Sequence, residues 1–271
     1  MSDGPVKVAP IPYPHEGYID RYCAYIDILG FRDLVRNLAD DYSKFQALRS
    51  LLTKIHTPAN PAEKAWHIDF RAQSISDAVA ISTLANDTGL IHLFIAIENL
   101  AVDLLKAGYL MRGALVKGRL YHDDQMVFGA ALIHAFELES TVVRYPRVMI
   151  TREVMQDIDH FCDGLLAHRR PVFEQHIEQA DDGPHYVHVL KTVACKIAEL
   201  QIENLNLPPE KQHSLEEFAK MQALIQRRLN EATDNPRHFE KVQWFARYWQ
   251  RCAPFGVPLS TPIIGPGMNK A

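Results

Sequence analysis

The chain is poor in cysteine. It has four in 271 residues (Cys23, Cys162, Cys195 and Cys252), far apart and never in a Cys-x-x-Cys spacing. That excludes a disulfide framework and a paired-thiol motif, and reads as reduced thiols in a cytosolic, cytoplasmic protein. An excess of either charge is missing too, with 29 Lys and Arg against 33 Asp and Glu. A net charge of −4 gives no general polyanion-binding surface, so DNA is not an expected partner, although a local basic pocket stays open. Long apolar runs are missing as well: charges break them before membrane-spanning length, and no signal peptide is visible, so no membrane is expected. There is no internal repeat and no low-complexity tract. The thirteen histidines are scattered. His185 and His188 stand three apart without companion ligands and read as a solvated strand edge.

What is present is apolar material for a full core, 47% of the chain. Residues 1–19 form a tail rich in proline at its start. Residues 21–29 read as a strand buried on both faces, and two helices follow over about 31–56. His67 to Gln73 and Ala78 to Thr83 read as strands around Ser76-Asp77. Asp87 or Thr88 caps a helix with Leu90, Leu93, Phe94, Ile97, Leu100 and Leu104 on one face, and Gly108 ends it. Tyr109 to Lys117 is a strand, with a turn over Gly118 to Asp124. Met126 to Glu139 begins extended, passes Gly129 and becomes helical. Pro146 to Thr151 is a strand, 152–184 is mixed and polar, and Tyr186 to Leu190 alternates like an edge strand. This order predicts an α+β sandwich, a mostly antiparallel sheet with helices on one face. Residues 214–231 and 236–251 predict a C-terminal helical hairpin. The expected divisions are a tail (1–19), a sheet domain (20–190), a helical region (191–253) and a tail (254–271).

Two carboxylates stand out. Asp27 lies inside the apolar run Tyr22-Cys23-Ala24-Tyr25-Ile26-Asp27-Ile28-Leu29-Gly30-Phe31, where an ionised side chain costs several kcal/mol unless a cation or donors meet it. Asp77 precedes the apolar strand Ala78-Val79-Ala80-Ile81. Each alone is explained by a helix cap or an Asx-turn. Together they suit a hard divalent cation held against phosphate. Gly30 lets backbone approach a ligand closely, and the amides of a helix start bind phosphate. Arg112 and Lys117 are cations on a central strand, on opposite faces by alternation. Arg112 reads equally well as the partner of Glu137 or Glu139.

Asp27-Ile28-Leu29-Gly30-Phe31 resembles the first metal motif of the class III nucleotidyl cyclases. Ser76-Asp77 is similar to their second, usually Gly-Asp. Arg112-Gly113-Ala114 through Gly118, then Phe128-Gly129 and the helix to Glu139, follow their later strand-hairpin-helix block. The resemblance covers about residues 20–152. Purine cyclases carry an Asn and an Arg four apart on that helix, and here Ile133 and Glu137 stand there. The base-selecting positions fall at Gln73 and Met126, without the usual charged pair. The chain therefore looks more like the compact pyrimidine cyclases of bacterial anti-phage signalling (Pycsar), whose cyclase core has a helical C-terminal region.

The resemblance implies a phosphorus–oxygen lyase with two Mg²⁺ or Mn²⁺ ions held by Asp27, Asp77 and the Ile28 carbonyl. Phosphate would meet Leu29, Gly30, Phe31 and Lys117, with Arg112 offsetting charge in the reaction. The base would meet Gln73 and Met126. The substrate would be a nucleoside triphosphate, UTP before CTP, and the cyclic product would be read by a separate effector. The site would form in a homodimer. Trp244, Phe245 and Trp249 support that expectation, because so small a monomer would struggle to cover all three. The alternatives are a purine (adenylate or guanylate) cyclase, or an inactive cyclase-like sensor or dimerisation module. A palm-type polymerase or dinucleotide cyclase ranks below these, since no Gly-Gly-Asp-Glu-Phe run is present.

Overall fold

The structure, a computed structural model, describes residues 17–36, 67–202, 209–253 and 258–262, with parts of 41–53. Most of the expected second helix, the loop with Pro58 and Pro61, and most of both tails lie outside the described residues, and the strand expected over His67–Gln73 runs instead over Arg71–Ile75. The elements run β1 (Ile19–Leu29), α1 (Phe31–Arg36), β2 (Arg71–Ile75), β3 (Ala78–Leu84), α2 (Asp87–Lys106), β4 (Leu110–His122), β5 (Val127–Phe128), α3 (Ala130–Thr141) and β6 (Val148–Ile150). Then come α4 (Arg152–Phe161), a 3₁₀ turn (Gly164–Arg169), α5 (Arg170–Glu174), β7 (Ile177–Gln179), β8 (His185–Val187), α6 (Lys191–Ile202), α7 (Pro209–Glu231) and α8 (Pro236–Cys252).

The fold is α+β. One eight-stranded sheet runs β2-β3-β1-β4-β6-β8-β7, with β5 paired to β4. Every pairing is antiparallel except β4 with β6. Side-chain alternation gives β1 two distinct faces. Tyr22, Ala24, Ile26 and Ile28 join the main core with Leu90, Leu93, Phe94 and Ile97 of α2 and Trp249 of α8. Burying such side chains contributes about 1.5–3 kcal/mol each. Cys23 and Tyr25 face the other way, onto Ala131, Ala135 and Leu138 of α3.

Helices therefore cover both faces, which corrects the expectation of one. The second face takes α3 because its buried positions include the small Ala131 and Ala135, and because the chain enters it through Gly129. That residue has φ +146°, and a Cβ there would meet the Arg119 carbonyl at 2.6 Å.

Other differences are local. Asn86, rather than Asp87 or Thr88, caps α2, its side chain accepting from Gly89 N–H at 2.7 Å. β4 continues to His122, through the stretch expected to turn, because Ile19, Asp20 and Arg21 of β1 still pair with Leu120, Arg119 and Gly118. β8 lies between β6 and β7, so the edge belongs to β7. α2 is long and apolar enough to cross a membrane by length and composition, but over half of it is buried inside the fold.

The C-terminal aromatics are covered by the chain itself. Trp249 is fully buried and its indole N–H donates to Gln222 Oε1 on α7 at 3.0 Å. Phe245 is 5% exposed, and Trp244 stacks on Tyr145 at 5.6 Å. These side chains need no second copy to leave water, which overturns that argument for a dimer.

Candidate active site

Asp27 is at the end of β1, opposite Ala78 of β3 on one side and Arg112 of β4 on the other. Asp77 occupies the tight turn between β2 and β3, and its carbonyl accepts the Ile28 N–H at 3.1 Å. That bond ties the turn to β1 and sets the two aspartates side by side. The turn needs Ser76 at φ +59°, a left-handed conformation that glycine adopts more readily.

Burial raises the Asp27 pKa above the ordinary carboxylate range. The nearby charge of Asp77 adds to this, and Arg112 opposes it. Arg112 Nε lies 3.6 Å from Asp27 Oδ2 and 2.5 Å from Glu139 Oε1, the latter an ion-pair contact without hydrogen-bond alignment. Its Nη1 donates to the Val143 carbonyl at 3.3 Å. Glu139, nearly buried on α3, also has a raised pKa, from burial with Asp27 adding and Arg112 opposing. Both readings of Arg112 thus hold geometrically: it faces Asp27, and it is the partner of Glu139.

A fifth charge was not singled out in the sequence. Lys241 of α8 is close enough to interact electrostatically with Arg112, Asp27 and Glu139. Burial lowers its pKa from the ordinary lysine value, and Arg112 adds to this. Two carboxylates (Asp27, Glu139) face two cations (Arg112, Lys241), and a third carboxylate, Asp77, lies near Asp27. That donor set and its excess of negative charge suit hard cations that prefer oxygen.

Gln73 sits two rows from the aspartate, on the same face: it pairs with Ala80, which pairs with Tyr25. The β4–β5 connection crosses this face to meet β2. Gln73 Nε2 donates to the Gln125 carbonyl at 3.1 Å, and Arg71 Nη1 to Asp124 Oδ1 at 2.6 Å. Gln73 Oε1 is buried with no partner. Met126, half exposed, is the residue after Gln125 and donates its N–H to Asp123 Oδ1 at 2.8 Å. The two base-reading candidates are therefore brought together.

Gly30 turns the chain at φ +84°, with nothing within 4 Å of a Cβ built on it. Leu29 pairs with Leu110, and Phe31 begins α1 and packs on the main core. Lys117 is a correction. It pairs in register with Tyr22 on the opposite face, and its ammonium bonds Asp157 at 2.8 and 2.9 Å. It does not reach the aspartates.

Among the described residues, the three metal-type ligands whose donor atoms lie within 4.8 Å of one another are not these carboxylates but Glu178, His188 and Cys252, on β7, after β8 and at the end of α8. The sequence hid this group, because its members lie far apart in the chain. Arg251 bonds Glu178 Oε2 at 3.0 Å, and the Tyr248 hydroxyl lies 2.7 Å from His188 Nδ1. Burial raises the Cys252 pKa and lowers that of His188 to about 4. The group is a protonated thiol and a neutral imidazole beside an ion pair, and its sulfur and nitrogen donors are not those that magnesium prefers.

No known protein-family profile matches the chain. No curated protein matches it either.

Proposed function

We propose that the protein is a metal-dependent nucleotidyl cyclase. It converts a pyrimidine nucleoside triphosphate, UTP before CTP, to the 3′,5′-cyclic nucleotide and pyrophosphate. In this reading the product is a second messenger in anti-phage defence, read by a separate cyclic-nucleotide-binding effector. The observation that carries the reading is the pairing of Asp27 with Asp77 across the Ile28–Asp77 backbone bond, in a cluster where carboxylates outnumber cations.

Asp27, Asp77 and the Ile28 carbonyl would hold two Mg²⁺ or Mn²⁺ ions. When bound, those ions lower the pKa of the ribose 3′-hydroxyl and neutralise the triphosphate. The chain's own residues orient the reactants. The exposed Gly30 turn, between Leu29 and Phe31, would take phosphate. Glu139 fixes the Arg112 fork against the same carboxylate. Gln73 Oε1 offers an unpaired acceptor to an N–H of the base, and Met126 an apolar flank. The 3′-oxygen attacks the α-phosphorus, the bond to pyrophosphate breaks, and the hydroxyl proton leaves to water.

A homodimer belongs to the same reading. α3 exposes Ile133 and Phe136, the residue after it Val142, the β4–β5 connection Met126 and β5 Phe128 beside the site, each at 48% or more. Clustered apolar exposure of this kind marks an interface, and a second copy is the partner the resemblance implies.

The second reading is an inactive cyclase-like sensor or dimerisation module, favoured by Ile133 and Glu137 standing where purine cyclases carry Asn and Arg. The test is to incubate the full chain with each of the four NTPs and Mn²⁺, and to identify products by mass. A cyclic pyrimidine nucleotide supports the cyclase. Cyclic AMP or GMP as the main product supports a purine cyclase, and no cyclic product supports the sensor.

A further inference from the structure

Substrate phosphates entering the site would meet one cation already committed and one still available. Arg112 is committed: it has Glu139 at 2.5 Å, Asp27 at 3.6 Å and the Val143 carbonyl at 3.3 Å. Its charge faces two carboxylates before any ligand arrives. The α3 positions that would carry a transition-state cation hold Ile133 and Glu137, both exposed and neither basic. Lys117 is on the far face with Asp157. Among the described residues, Lys241 has no carboxylate within ion-pair distance, 4 Å, although Asp27 and Glu139 lie within electrostatic reach.

Lys241 is also held on a rigid support. The residue before it, Glu240, pairs with Arg144 and accepts from the Tyr145 hydroxyl at 3.1 Å. One turn on, Trp244 stacks on Tyr145 at 5.6 Å and meets Tyr186 edge-on at 5.5 Å. Val242, Phe245 and Trp249 are buried in the core. α8 is therefore fixed on the 143–147 segment, next to the strand that carries Arg112.

We propose that Lys241 is a catalytic residue of this site, its ammonium reaching the triphosphate and stabilising the charge that builds on the departing pyrophosphate. This rests on the cyclase reading above. The C-terminal helix is then part of the active site, supplying from another part of the chain the cation that α3 lacks. A preorganised donor aimed at developing charge acts on the chemical step, so its removal lowers kcat more than it raises KM.

The test compares the wild type with Lys241→Met and Lys241→Arg, using the preferred NTP and Mn²⁺. Methionine keeps an apolar stem on a partly buried helix position. We expect kcat of Lys241→Met to fall about 100-fold, KM to stay within about threefold and the melting temperature to be unchanged, with Lys241→Arg recovering about tenfold or more. A Lys241→Met enzyme with kcat within about threefold of an active wild type overturns the proposal alone. So does a loss that Lys241→Arg does not recover, or one that follows a lowered melting temperature. A wild type inert toward all four NTPs overturns the cyclase reading and this assignment with it.

Discussion

Two clusters of charge lie on the same face of the same strands, roughly 20 Å apart along β1, and they differ in how completely their charges are met. At the Asp27 end, carboxylates outnumber cations, two of them have raised pKa values, and Arg112 contacts Glu139 without hydrogen-bond alignment. At the far end, Arg21 is almost fully buried, and three of its nitrogens are used. Nε donates to Ser82 Oγ at 3.0 Å, Nη1 to Asp69 Oδ2 at 2.6 Å and Nη2 to the Asp69 carbonyl at 2.5 Å. Arg71 takes the other Asp69 oxygen at 2.8 Å, and Ser82 Oγ meets His122 Nδ1 at 2.8 Å. His122 Nε2 is the one buried polar atom of this group without a partner, and a buried charge whose ion pair is met on both sides organises the fold. A half-buried group with charge in excess has affinity left for a ligand.

The largest effect expected from this contrast is on turnover. Asp77→Ala or Asp27→Ala should take cyclisation below detection by mass spectrometry while the melting temperature holds, since removing an incompletely paired carboxylate costs the fold little. Near-normal turnover in either variant breaks the assignment of that end.

The next effect is on the fold. Arg21→Met leaves Asp69 buried with one cation fewer, and should cost about 3–5 kcal/mol in denaturant unfolding. An Arg21→Met protein as stable as the wild type would mean that the far end is not the structural one.

The two ends also differ in the sign of their pH dependence. His122 is buried, with its pKa pushed down to about 3, by burial first and by Arg21 next. It is neutral in the fold, while the unfolded chain protonates it below about 6.5. The stability it contributes is present above pH 6.5 and is lost as the pH falls toward 3, on the order of a few kcal/mol. His122→Gln should flatten that acid loss. Asp27 and Glu139 have raised values, so their contribution is present at low pH and declines as the pH rises above the ordinary carboxylate range. Asp27→Asn should remove part of that decline. Unfolding curves between pH 4 and 8 separate the two slopes, and a common slope would merge the two ends into one class.

The smallest effect concerns the base. If the unpaired Gln73 Oε1 reads it, Gln73→Ala should cost about 1–3 kcal/mol in kcat/KM for the preferred NTP, with a loss of selectivity. Unchanged selectivity removes Gln73 from the site.

The residues of the two ends differ in how plainly the sequence marks them out. Asp27 and Asp77 are legible because a carboxylate in an apolar strand conflicts with its surroundings, and β1, β3 and α2 are legible from unbroken periodicity. α4 was missed because only Val154 and Ile158 are buried on an otherwise polar helix. The far-end cluster was missed because Arg21, Asp69 and His122 are ordinary residues at strand ends, and only the strand register brings them together. Lys241 was hidden for the same reason: nothing local distinguishes it from any lysine on a helix, and only the docking of α8 on the 143–147 segment brings it near Asp27. The dimer argument from Trp244, Phe245 and Trp249 failed because aromatic content does not reveal which face of a helix the rest of the chain will cover.

In the proposed reading the Asp27 end binds metal against phosphate and the Arg21 end does not. The most direct measurement is electron paramagnetic resonance of Mn²⁺ titrated into the full chain with α,β-methylene-UTP, which reads binding without turnover. The wild type and His122→Gln should deplete the free Mn²⁺ signal alike, and Asp27→Asn should leave it close to the protein-free level. Equal depletion by wild type and Asp27→Asn would contradict that reading.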